Sequence, residues 1–157
     1  MSMQTMIATA RGFRAAGDRC FQTLPGGHYD ARMLCAPAIV CYAFSLEIYL
    51  KFLLKNEGKE IKKTHDLANL YNRLSESLRR EIEGKVGDDN QVFQNNLKSF
   101  GKAFIEWRYQ YEDGSAKPAS IGFASKLIAA LEAIAEDRGF RYPSTWALNT
   151  DDEIKKA

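Results

Sequence analysis

The chain has 157 residues, with 22 lysines and arginines against 20 aspartates and glutamates, a net charge of +2, and 45% hydrophobic and 27% charged residues. Charges of both signs are interspersed, which excludes the one-signed field of a general nucleic-acid binder and leaves RNA, if bound, to a local patch. A chain of this length fits one domain with a sizeable core, expected over residues 1–142, with residues 143–157 as a C-terminal tail.

Met6, Ala10, Phe13, Gly17, Cys20 and Leu24 recur at steps of four and three, which predicts an amphipathic first helix over residues 4–23. Arg11, Arg14 and Arg19 fall off that seam and read as a solvated face. Leu24-Pro25-Gly26-Gly27-His28 breaks the helix, because proline lacks a donor and paired glycines loosen the backbone. His28 then reads as an exposed loop residue. The second helix starts near Ala31 and bends at Pro37, or starts at Pro37, where proline suits a first turn.

From Ile39 to Leu54 the polar side chains are Ser45, Glu47 and Lys51, apart from the hydroxyls of Tyr42 and Tyr49. A helix apolar on every side is central to its domain or lies at a subunit interface. Its girth predicts a dimer, being hard to cover within so small a bundle. Glu47, Lys51 and Lys55 are spaced i, i+4, i+8 in the favourable acid-before-base order. They form a narrow stripe expected to face water or a ligand. An acid and a base near the middle argue against a membrane span, which needs ~20 apolar residues.

Gly58 is expected as a left-handed cap, and Thr64 as the N-cap of a third helix carrying Leu67, Leu70, Tyr71 and Leu74. Ser75 or Ser77 caps a short piece from Leu78 to Gly84, and Gly84-Lys85-Val86-Gly87 reads as loop. Asp88 and Gln91 have capping-box spacing, and Phe93, Leu97, Phe100, Phe104, Trp107 and Tyr111 follow on one seam, with Gly101 allowing a close approach. Ser120 caps a last helix with Phe123, Leu127, Ala130, Leu131 and Ile134 inward, ending at Gly139. Phe140, Tyr142 and Trp146 then lie over the bundle. No alternating strand pattern occurs. The expected fold is all-α, an up-down bundle of four main helices plus one or two short ones.

Chemistry-bearing motifs are sparse. There is no GxGxxG, GxxxxGK[ST], HExxH or GxSxG, and no acidic cluster with metal spacing, so neither cofactor nor metal is expected. Cys20, Cys35 and Cys41 are odd in number and lack CxxC spacing, which suits buried structural thiols. No apolar run near the N-terminus is long enough for a signal peptide, and a reduced cytoplasmic setting is expected. His65 and Asp66 follow the presumed cap: structurally they anchor the loop, and functionally they are pocket residues for an anion or a base. Arg108 can pair with Glu112 at i, i+4, or it can hold phosphate and stack on bases beside Trp107 and Tyr109.

Three stretches, SLEIYLKFLLKNEGK, THDLANLYNRLSE and FIEWRYQYE, together resemble the HEPN (higher eukaryotes and prokaryotes nucleotide-binding) domains over roughly residues 35–135. The resemblance implies a helical bundle, usually a homodimer, in toxin-antitoxin, phage-defence and RNA-processing systems. Catalytic members carry an arginine four to six residues before a histidine, forming a metal-independent ribonuclease site at the dimer interface. No histidine follows Arg108, and His65 has no arginine at that spacing before it. This chain looks more like the branch with Thr-His-Asp-Leu and Arg-Tyr motifs, found alone or beside nucleotidyltransferases. That implies Glu47, Lys51, His65, Asp66, Arg108 and Tyr109 as the polar positions to watch, with Glu112 as the partner of Arg108. The expectation is a dimeric binding module for nucleotide, RNA or a partner protein such as a nucleotidyltransferase-like protein or antitoxin. The alternative is a ribonuclease using Arg108 and His65.

Overall fold

The computed structural model describes residues 2–20, 35–101, 107 and 120–141. Among them are six helices and no strands: α1 (Met3–Arg19), α2 (Cys35–Asn56), α3 (Leu67–Asn72), α4 (Glu76–Val86), α5 (Asn90–Phe100) and α6 (Ile121–Asp137). The protein is all-α, as expected.

α2 is the axis. Leu46, Leu50, Phe52, Leu53 and Leu54 are completely buried, each contributing on the order of 1.5–3 kcal/mol by leaving water. α1, α3 and α6 of the same chain pack around it. From Ser45 to Leu54 its girth is thus covered within one chain apart from Lys51, whereas Val40, Cys41 and Phe44 nearer its start are half-buried. α2 is also the one described helix long and apolar enough to cross a membrane, yet its apolar side chains form the protein core.

α1 crosses α2 closely. The Ser45 hydroxyl donates to the Ala10 carbonyl at 2.8 Å, and a Cβ on Gly17 would stand 2.8 Å from the Tyr42 ring, whose hydroxyl donates to Asp18 at 2.6 Å. Met6, Ala10 and Gly17 are buried as the seam predicts. Arg11 and Arg14 depart from it: both pair with Glu132 on α6, and Arg11 also pairs with Glu136. Their length lets them span to a neighbouring helix while their stems cover apolar surface. Arg19 is exposed.

α2 ends as expected. Gly58 takes φ +71°, and the Lys59 N–H returns to the Leu54 carbonyl at 2.9 Å. The cap of α3 is Asp66, not Thr64: its carboxylate accepts from the Asn69 N–H at 3.0 Å, while Thr64 Oγ1 accepts from the Asp66 N–H at 3.1 Å. Thr64 therefore stabilises the turn before the cap. Ser75 caps α4, which continues through Gly84 and Lys85 to Val86 and ends at Gly87 with φ +72°. The residues expected as loop are its last turn, Val86 being buried against the core.

Asp89, not Asp88, caps α5 by accepting from the Gln91 N–H at 2.9 Å. Asp88 pairs instead with Lys126 of α6 at 2.7 Å. α5 stops at Phe100, although the aromatic seam runs on to Tyr111. Phe93, Leu97 and Phe100 are buried and Trp107 packs half-buried on the core, whereas Phe104 and Tyr111 lie outside the described residues. On α6 all five expected residues point inward. Gly139 takes φ +84°, and the Phe140 ring packs edge-on against Phe52 at 4.9 Å. Tyr142, Trp146 and the tail lie outside the described residues.

Candidate functional site

One carboxylate breaks the apolar rule of α2. The Glu47 side chain is 3% exposed. An isolated ionised carboxylate in such a place costs several kcal/mol unless partners replace its water. Two do so. Lys51, one turn on, donates from Nζ to Oε1 at 2.6 Å, and His65 meets Oε2 through Nδ1 at 2.8 Å. An ionised carboxylate only accepts, so the Nδ1 of His65 carries a proton in this contact. In a neutral ring Nε2 is then the acceptor.

The partners grade from core to solvent: the side chain of Lys51 is 18% exposed and that of His65 46%. The site is a buried acid with a cation and an imidazole stacked outward from it. The expected Glu47–Lys51 pair is present, but the stripe does not face water along its whole length. His65 covers Glu47, and Lys55 alone of the three is exposed.

His65 is held from both sides. Gly58 turns the chain back along α2, and the Thr64 and Asp66 hydrogen bonds fix the approach to α3. The Leu67 N–H then donates to the Gly101 carbonyl at 2.9 Å. Gly101 is buried, and a Cβ there would lie 3.2 Å from the Lys98 carbonyl and 3.5 Å from Asp66 Oδ1. The close approach expected of this glycine is the one that seats the start of α3. Asp66 acts as cap and loop anchor. Arg108, Tyr109, Glu112 and His28 lie outside the described residues.

Other polar groups serve the packing. Glu57 accepts from the Ser75 N–H at 3.2 Å and from Lys59 at 2.8 Å. Burial alone would raise its pKa, but the hydrogen bonds from Lys59 and Ser75 outweigh it and hold the carboxyl below its ordinary value. Burial, then Glu83 as hydrogen-bond partner at 2.6 Å, pushes the Tyr71 hydroxyl up. Burial also raises the Cys41 thiol. Cys20, Cys35 and Cys41 are each half-buried, and no group of three metal-binding side chains occurs among the described residues.

No protein-family model, curated protein or solved structure matches the chain. The Glu47–His65 contact was not legible beforehand, since periodicity pairs Glu47 only with Lys51. One signal was present: an acid in the middle of an otherwise apolar helix requires a partner from elsewhere in the chain.

Proposed function

We propose that this protein is a HEPN-like binding module whose Lys51 and His65 receive an anionic group, the phosphate of a nucleotide or RNA being the best fit. The observation that carries the reading is the buried Glu47 holding both residues at once. A lysine cation beside an imidazole suits a phosphate: with Nδ1–H given to Glu47, it is the imidazolium, formed as the anion binds, whose Nε2–H donates to the ligand, and the carboxylate beneath fixes the positions of both groups beforehand. The resemblance adds a four-helix bundle arrangement, a homodimer and a defence or toxin-antitoxin context, with a nucleotidyltransferase-like protein or antitoxin as partner, and the cysteine usage adds a reduced cytoplasmic setting.

Fluorescence anisotropy with labelled nucleotides and short RNAs tests this. Lys51→Ala and His65→Asn should each weaken binding about tenfold, the ~1.4 kcal/mol of one charge-assisted contact; each also takes a partner from the buried Glu47 and lowers the melting temperature, so affinities are compared well below both variants' transitions. No binding by the wild-type protein to any of these probes would overturn the reading. Sedimentation tests the dimer separately.

The hydrogen bond from His65 to Glu47 also favours a second reading. A carboxylate that orients an imidazole is the arrangement of a general acid–base pair, here in a metal-independent ribonuclease with Arg108 meeting the transition-state charge. RNA cleavage that survives chelator and disappears in His65→Asn and Arg108→Ala would support it. Absence of cleavage by the wild-type protein would leave the binding module.

A further inference from the structure

We draw no further inference here: the strongest candidate, the open groove of about 360 Å³ between α4 and α6 floored by Val86, Ala129, Ala130 and Ala133, has its rim cations Lys85 and Lys126 paired with Asp137 and Asp88, and nothing in the structure shows what covers it.

Discussion

Removing Glu47 should separate the energetic role of this carboxylate from its role in the site. Glu47→Ala leaves Lys51, 18% exposed, without its partner and opens a small void against α2. Breaking a fully buried pair costs about 3–5 kcal/mol. Lys51 and the half-exposed His65 can both turn toward water, which brings the expected loss to about 2–3 kcal/mol. For a domain of this size that is a fall of roughly 5–10 °C in Tm. Glu47→Gln keeps an acceptor for the Nδ1 proton and should lose only about 1–2 kcal/mol. The double variant Glu47→Leu, Lys51→Met replaces the pair by apolar volume and should regain most or all of the stability, while phosphate-ligand binding stays lost. Urea unfolding with an unchanged slope gives each value. Glu47→Ala within about 0.5 kcal/mol of wild type, the range of ordinary surface substitutions, would refute the buried contact.

Three further outcomes follow from the fold. Gly17→Ala should cost about 1–3 kcal/mol by driving a methyl into the Tyr42 ring, whereas Gly12→Ala, whose Cβ meets nothing, should stabilise α1 by about 0.5–1 kcal/mol; thermal melts of the pair check both signs. Asp66→Ala should lose about 1 kcal/mol of cap energy and exceed Thr64→Ala in urea unfolding, the reverse of the order if Thr64 were the cap. Glu57 has a folded pKa below its ordinary value, so its contribution is complete above the ordinary carboxylate range and lost as pH falls through the folded value. The stability gap between wild type and Glu57→Gln should hold from neutral pH down to about 5 and close on further acidification.

Local features were legible in the sequence wherever local physics decides them. The apolar girth of α2, the Gly58 cap, the Ser120 cap and the Glu47–Lys51 pair all follow from spacing within one turn. The caps at Asp66 and Asp89 were displaced by two residues and one, because Thr64, Asp66, Asp88 and Asp89 are all capable caps. Which of them acts depends on where Gly101 and Lys126 hold the chain. Arg11 and Arg14 meet Glu132, more than a hundred residues away, and no helical period encodes that pairing. The aromatic seam from Phe93 to Tyr111 records which side faces inward; it does not record that α5 stops at Phe100. The site divides in the same way, Lys51 being a neighbour of Glu47 in sequence and His65 only in space.

The two halves of the site sit on opposite sides of an exposed connection. Ile61, Lys62 and Lys63 are exposed, so trypsin can cut after either lysine and sever the covalent link between Lys51 and His65. After such a cut, the Asp66 cap, the Leu67–Gly101 hydrogen bond and the bond to Glu47 would be what retains the imidazole. A ligand that grips both residues would hold the nicked chain together, and its presence would be recorded as protection of the Lys62 and Lys63 bonds.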